Sequence, residues 1–166
     1  DLGGKCKWQW RNILCAFASR KAIVDKDLTG LVQNFGGIMT TVLLVDDEKL
    51  IQRSLEKTLL RAGFDVLTAP DCKTGSDVFA QNINVVDIAV LDLNMPGFEG
   101  MPKNDAGLDL LADLKQKKTD LPVVILTAYD EVNKAKDAVS RGANAFFVKG
   151  REQGLVELIQ KILNEK

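Results

Sequence analysis

Five short apolar runs, separated by longer amphipathic stretches, dominate the sequence after residue 40. The runs cover residues 42–45, 65–68, 87–91, 122–126 and 145–148. Because they lack polar alternation, they predict strands that are covered on both faces, as the strands of parallel sheets are. In the stretches between them apolar residues recur at helical spacing, as at Ile51, Leu55 and Leu59. Successive strands and helices of this kind predict a doubly wound α/β fold.

Polar residues directly follow four of these runs. Asp46 and Asp47 follow the first, Asp92 the third, Thr127 the fourth and Lys149 the fifth. Each has an ordinary structural role when taken alone, because aspartate caps helices and opens turns, threonine ends strands, and lysine is usually solvated. The carboxyl ends of parallel strands, however, meet at the edge of the sheet where ligands bind. Their joint occurrence there therefore indicates a functional site.

The residue types at these strand ends suit phosphoryl chemistry. Three carboxylates placed together need a cation, and oxygen ligands favour Mg²⁺. An aspartate can attack phosphorus to form an acyl phosphate, while Lys149 supplies positive charge and the Thr127 hydroxyl donates to a phosphate oxygen. The sequence contains no histidine, and its three cysteines lack paired spacing, which argues against a zinc site.

Four blocks of the sequence resemble the signature blocks of response-regulator receiver domains. They are VDDE at residues 45–48, LDLNMPGFEG at 91–100, LTA at 126–128 and VK at 148–149. They occur in the family's order, and the resemblance covers about residues 40 to 165. It implies a flavodoxin-like, five-stranded parallel sheet with strand order 2-1-3-4-5, flanked by five helices. It also implies that Asp92 accepts a phosphoryl group from the phosphohistidine of a sensor histidine kinase.

The same resemblance implies a Mg²⁺ site. Asp47 and Asp92 would bind the ion directly, together with the main-chain carbonyl of Asn94. Asp46 would act largely through a bound water.

Further residues receive roles from the resemblance alone. Thr127 and Lys149 would bind the phosphoryl oxygens, with Thr127 moving toward them on phosphorylation. Phe146 would be the family's aromatic switch residue, although an aromatic residue within a strand is as readily explained by core packing. Asn94 and Tyr129 would tune dephosphorylation. A simpler interpretation of Tyr129 is that it covers the edge of the sheet.

The leading hypothesis is a single-domain response regulator that catalyses only its own phosphorylation and dephosphorylation. Phosphorylation would change its affinity for a downstream protein, and its phosphodonor would be a sensor histidine kinase or a histidine phosphotransfer protein. A phosphorelay intermediate and a truncated receiver of a longer regulator remain alternatives. An aspartate-nucleophile phosphatase is less favoured, because Asn94 stands where such enzymes carry their acid–base aspartate.

Two departures from the family pattern affect these expectations. Gly150 follows Lys149 where family members usually have proline, so we expect a trans peptide bond and a looser loop there. About seven extra residues, 101–107, precede the helix predicted at 108–118, and their polar composition predicts a surface loop. In the remaining weak segment, residues 71–81, Gly75 is expected to break the helix.

We expect two parts in the chain: an N-terminal extension at residues 1–38 and the receiver domain at residues 39–166. The extension could be non-native, could carry a short secretion signal, or could form a helix over about residues 13 to 35. It has net charge +3 and the rest −4, which gives no reason to expect nucleic-acid binding. No apolar run is long enough to span a membrane. The sequence therefore predicts a cytoplasmic protein without membrane or direct nucleic-acid partners.

Overall fold

The structure, a computed structural model, describes residues 39–128, 132–150 and 152–165. In chain order its elements are β1 (Thr41–Val45), α1 (Lys49–Arg61), β2 (Asp65–Ala69), α2 (Cys72–Gln81), β3 (Val86–Asp92), β4 (Met95–Pro96), β5 (Pro102–Lys103), α3 (Ala106–Lys117), β6 (Val123–Thr127), α4 (Val132–Ser140), β7 (Ala145–Val148) and α5 (Glu152–Asn164). The predictions for residues 1–38 and for Tyr129 lie outside the described residues.

A five-stranded sheet of order β2-β1-β3-β6-β7 forms the centre of the fold. Each neighbouring pair in it is parallel. When the short strands β4 and β5 are set aside, this order is the predicted 2-1-3-4-5. The doubly wound, flavodoxin-like fold with five flanking helices is therefore confirmed.

Two apolar cores lie on opposite faces of this sheet. Consecutive residues of β1 alternate between them, because Leu43 and Val45 belong to one core and Val42 and Leu44 to the other. Helices α2, α3 and α4 contribute residues to the first core, and α1 and α5 contribute to the second. Both faces of the strand are therefore covered, which explains why the run carries no polar residue.

Helix α2 runs without interruption through Gly75, so the predicted break is wrong. Asp71 begins the helix, since its side chain accepts a hydrogen bond of 2.7 Å from the backbone amide of Thr74. Gly75 is buried, and a Cβ atom there would lie 3.0 Å from the side chain of Val45. This glycine therefore allows α2 to pack closely on β1.

Cys72 lies at the start of α2 and is fully buried. Its thiol donates a 3.3 Å hydrogen bond to the carbonyl of Ala106, the first residue of α3. Burial raises the pKa of this thiol to about 12, and the nearby Asp109 carboxylate contributes to the increase, so the thiol is neutral at physiological pH.

The segment between β3 and α3 forms a hairpin rather than an irregular loop. Strands β4 and β5 pair antiparallel, and the amide of Gly97 donates to the carbonyl of Met101 across a distance of 2.9 Å. Helix α3 then begins at Ala106, two residues before the predicted start, and both Ala106 and Gly107 are buried. The predicted surface loop is therefore wrong for its last two residues, which anchor α3.

At the amino ends of the strands, long side chains bind backbone groups. The Lys118 ammonium donates to the carbonyls of Ile83, at 3.2 Å, and Val86, at 2.9 Å. The Asn144 side-chain oxygen accepts a 3.0 Å hydrogen bond from the amide of Val123. Among the described residues, no helix is both long enough and apolar enough to cross a membrane.

Candidate functional site

The predicted site residues lie at the carboxyl ends of four neighbouring strands. Asp46 directly follows β1, Asp92 ends β3, Thr127 ends β6, and Lys149 directly follows β7. Asp92 pairs in register with Leu126, the residue before Thr127. The parallel register thus brings these side chains to one edge of the sheet, as the sequence predicted.

The ammonium group of Lys149 occupies the centre of this cluster. Its Nζ atom lies 3.0 Å from Asp46 Oδ2, 3.0 Å from Asp92 Oδ2 and 3.0 Å from Glu48 Oε1. Asp46, Asp92 and Lys149 have little solvent exposure, whereas the Glu48 side chain is 58% exposed. One cation therefore balances two buried carboxylates and one exposed carboxylate.

Two contributors to this site were missed in the sequence. Glu48 precedes α1, where an acidic residue is usually taken for a helix cap, but its side chain makes no capping hydrogen bond. The Gln52 side chain donates to the carbonyls of Asp46, at 3.0 Å, and Ala69, at 2.9 Å, which joins the ends of β1 and β2. The VDDE block contained Glu48, but nothing in the pattern indicated its contact with Lys149.

Burial determines the electrostatics of the cluster. It raises the pKa of Asp92 to about 6, while Lys149 lowers this pKa and the Asp46 carboxylate raises it. Burial also raises the pKa of Asp46. For Lys149, burial alone would lower the pKa, but the carboxylates of Asp92 and Asp46 outweigh this effect and raise it. Lys149 therefore remains charged at physiological pH, while Asp92 is ionised but easily protonated.

The carboxylates are arranged in a way that suits a hard cation. Oxygen atoms of Asp46, Asp47 and Asp92 all lie within 4.8 Å of one another. The Asp46 Oδ2 atom is buried, and its partner is the Lys149 ammonium at 3.0 Å. A donor set made of carboxylate oxygens alone, two of them from buried aspartates, fits Mg²⁺.

The remaining predicted residues surround the cluster. The Thr127 hydroxyl is fully buried and donates to the carbonyl of Ala128 across 3.1 Å. Phe146 is half-buried and packs against the core that α2, α3 and α4 cover. The Asn94 side-chain oxygen accepts a 3.4 Å hydrogen bond from the amide of Asp105.

Gly107 brings helix α3 against the backbone of Asp92. Its amide donates a 3.0 Å hydrogen bond to the carbonyl of Leu93. A Cβ atom at this position would lie 2.2 Å from the carbonyl oxygen of Asp92, well inside van der Waals contact. Only glycine therefore permits this approach, so the segment predicted as an insertion contains a residue that shapes the site.

Gly150 gives the loop after Lys149 a backbone conformation that proline cannot adopt. Its φ angle is +98°, whereas the proline ring holds φ near −65°. The described residues contain no cis peptide bond, which agrees with the trans bond expected between Lys149 and Gly150. The backbone of Lys149 is nevertheless held in place, because its amide donates a 2.9 Å hydrogen bond to the carbonyl of Thr127.

Known sequences share the receiver pattern with most of this chain. The family model described as the response regulator receiver domain matches residues 42–162. The response regulator protein FleR of Pseudomonas aeruginosa is 30% identical over 121 residues, which are 72% of this chain and 24% of FleR. Response regulator MprA of Mycobacterium sp. strain KMS is 32% identical over 108 residues, which are 65% of this chain and 43% of MprA. The chain thus spans less than half the length of these curated relatives.

Solved structures agree with the sequence comparisons. A response regulator receiver domain protein from Clostridium thermocellum superposes with a TM-score of 0.68 at 28% identity, covering 76% of this chain and 96% of that one. The receiver domain of NtrX from Brucella abortus superposes with a TM-score of 0.62 at 27% identity, covering 75% of this chain and 98% of that one.

Proposed function

The chain belongs to the response regulator receiver domain family, and from this premise we propose that Asp92 is the residue that accepts the phosphoryl group. The observation that carries the proposal is the environment of its carboxylate. Asp92 is buried at a strand end, lies 3.0 Å from the Lys149 ammonium, and shares a cluster with Asp46 and Asp47. Asp46 shares these features, but among the described residues only Asp92 combines them with the end of the central strand β3, where it pairs with Leu126, next to Thr127.

In the proposed reaction a carboxylate oxygen of Asp92 attacks the phosphorus atom of the donor. A phosphorus–oxygen bond forms while the bond from phosphorus to the donor's leaving atom breaks, and the electron pair of that bond stays with the leaving atom. Lys149 binds the developing negative charge on the phosphoryl oxygens. The Thr127 hydroxyl leaves the Ala128 carbonyl and donates to another of these oxygens.

The same site would hold Mg²⁺. Asp47, Asp92 and the main-chain carbonyl of Asn94 would bind the ion directly, and Asp46 would act largely through a bound water. When bound, Mg²⁺ neutralises charge on the phosphate oxygens and lowers the repulsion among the carboxylates. The Asn94 side chain, together with Tyr129, would control the access of water to phosphorylated Asp92 and hence its lifetime.

Phosphorylation would then act as a protein-interaction switch. Movement of Thr127 toward the phosphoryl group vacates space that the aromatic ring of Phe146 fills, and α4, β7 and α5 shift to a second arrangement. The phosphodonor would be a sensor histidine kinase or a histidine phosphotransfer protein, and the reader would be a downstream protein. The chain would catalyse only its own phosphorylation and dephosphorylation, in the cytoplasm.

We also propose that the folded receiver domain begins near residue 39. The family match begins three residues later, at residue 42, which supports this boundary. Residues 1–38 would then be an extension outside the phosphoacceptor domain.

Incubation with Mg²⁺ and acetyl phosphate, followed by intact-mass measurement, tests the phosphoacceptor proposal. The native chain should gain the mass of one phosphoryl group, and Asp92→Asn should gain none. Asp120→Asn is the matched control, because Asp120 is exposed and lies outside the site, so it should be labelled like the native chain. A native chain that stays unmodified while a known receiver is labelled would contradict the proposal. Sustained turnover of an unrelated phosphomonoester would indicate a phosphatase instead.

A further inference from the structure

If Asp92 is phosphorylated, Lys149 must serve three anionic groups: Asp46, Glu48 and a phosphoryl group that carries more charge and more oxygens than the carboxylate it replaces. In the structure its ammonium already contacts Asp46, Glu48 and Asp92, each at 3.0 Å. A phosphoryl group on Asp92 adds oxygens that need the same cation. An ammonium has three N–H donors, so when the phosphoryl oxygens take more than the donor that Asp92 used, the contact to Asp46 or the contact to Glu48 must weaken.

Solvent exposure identifies the contact that gives way. The Asp46 side chain is 0% exposed, so its ionised carboxylate loses most of its charge compensation if the ammonium leaves. The Glu48 side chain is 58% exposed and can be hydrated as soon as it is released. Breaking the pair between Glu48 and Lys149 is therefore the least costly way to free the ammonium.

The backbone of Glu48 keeps its side chain near this contact. Its amide donates a 2.8 Å hydrogen bond to Asp46 Oδ1, and its backbone is extended at the start of α1. The side chain makes no capping hydrogen bond to the helix, and instead Glu48 Oε1 accepts a 3.0 Å hydrogen bond from Lys149. The acidic group is thus placed to hold the ammonium rather than to cap α1.

We propose that Glu48 is a positioning residue that retains Lys149 in the unphosphorylated site and competes with the phosphoryl group for it. This inference rests on the proposed function of Asp92. Glu48 does not touch the reacting atoms. It sets the free energy that the phosphoryl oxygens must supply to engage Lys149, so it lowers the affinity of the site for a phosphoryl group.

Beryllofluoride, which mimics a phosphoryl group on a carboxylate, provides the test when Mg²⁺ is saturating. Glu48→Gln and Glu48→Asp should each bind beryllofluoride about two- to fivefold more tightly than the native chain in calorimetric titration, because an exposed ion pair contributes up to about 1 kcal/mol. Glu48→Asp retains the charge but is one methylene shorter, so it loses the contact alone. Its affinity for Mg²⁺ without beryllofluoride should stay within about twofold of native, since its charge is unchanged.

Glu99→Gln is the charge-matched control, because Glu99 is an exposed acid on the hairpin that does not belong to the cluster. It should bind beryllofluoride like the native chain, and all variants should keep the native thermal unfolding midpoint within a few degrees. Native affinity in Glu48→Asp would overturn the proposal, whether or not Glu48→Gln is tighter, because only bulk charge would then matter. Failure of the native chain itself to bind beryllofluoride, under conditions where a known receiver does, would instead overturn the proposed function of Asp92.

Discussion

The two ends of the parallel sheet use charged side chains in opposite ways. At the amino ends, Lys118 donates to the carbonyls of Ile83 and Val86, so a charge meets uncharged backbone groups that need a donor. At the carboxyl ends, charged groups contact one another, because the carboxylates of Asp46 and Asp92 share the Lys149 ammonium within a buried cluster. The first arrangement satisfies the backbone, whereas the second buries carboxylates, and this burial raises the pKa of both aspartates. The groups that satisfy the backbone and the groups proposed to carry phosphoryl chemistry thus lie at opposite ends of the same strands.

The substitution with the largest expected effect is Gly107→Ala, at the carboxyl end of the sheet. The added methyl group would lie 2.2 Å from the Asp92 carbonyl, so α3 must move away from β3. We expect a loss of about 3 kcal/mol or more in the free energy of unfolding, at the upper end for overpacking, together with slower labelling of Asp92 by acetyl phosphate. Urea unfolding and intact-mass kinetics measure the two effects.

Gly97→Ala is the matched control for that substitution. A Cβ atom there would lie 3.5 Å from the Lys103 side chain, which is ordinary contact. It should change stability by less than about 1 kcal/mol. Equal behaviour of the two alanine variants would show that the close approach of α3 does not shape the site.

A second test asks whether the burial of ionised carboxylates at the carboxyl end lowers the stability of the fold. The pKa of Asp92 is raised to about 6 in the folded chain from an ordinary value of 3.8, so the folded state binds this proton more tightly than the unfolded state does. The stabilisation from protonated Asp92 is therefore complete below about pH 4 and is lost as the pH rises through about 6. Without Mg²⁺, Asp92→Asn should exceed the native chain in stability by up to about 3 kcal/mol at pH 7.

Urea unfolding in EDTA at several pH values measures this difference. The advantage of Asp92→Asn should shrink as the pH falls from 6 to 4, and added Mg²⁺ should reduce it at pH 7 by stabilising the native chain. A native chain that is more stable than Asp92→Asn at pH 7 without Mg²⁺ would show that Lys149 fully compensates the cluster.

The third and smallest test is Lys118→Met at the amino end. The substitution keeps an apolar stem but leaves the carbonyls of Ile83 and Val86 without the ammonium donor. We expect a loss of about 1 to 2 kcal/mol in the free energy of unfolding, with unchanged labelling of Asp92. Lys57→Met, at an exposed position of α1, should alter neither quantity. Slower labelling in Lys118→Met would contradict the division between the two ends.

The sequence predicted the fold well because each central strand is buried on both faces. Continuous apolar runs such as residues 122–126 are typical of buried parallel strands when helices lie between them. The carboxyl-end site was predictable for a related reason, since Asp46, Asp92 and Lys149 each lie at the end of such a run. At these positions the local sequence pattern and the chain topology were sufficient to predict that the side chains lie together.

What the sequence did not predict depends on contacts between distant residues. Glu48 and Lys149 are 101 positions apart, so their hydrogen bond follows from tertiary packing alone. The hairpin strands β4 and β5 have two residues each, too few for an alternating pattern to appear. In the sequence Gly107 cannot be told from an ordinary loop glycine. Its role becomes visible only from the close approach of α3 to the Asp92 carbonyl. The roles proposed for Thr127 and Phe146 remain predictions.

The buried thiol of Cys72 can be used to measure local opening of the fold. Because the thiol is fully buried and bonded to the first residue of α3, an alkylating reagent reaches it only when the packing between α2 and α3 opens. In a chain with Cys6 and Cys15 changed to serine, the rate of alkylation therefore reports how often α2 and α3 move apart. Comparing the rate with and without beryllofluoride would show how far binding at Asp92 reduces the motion between these two helices.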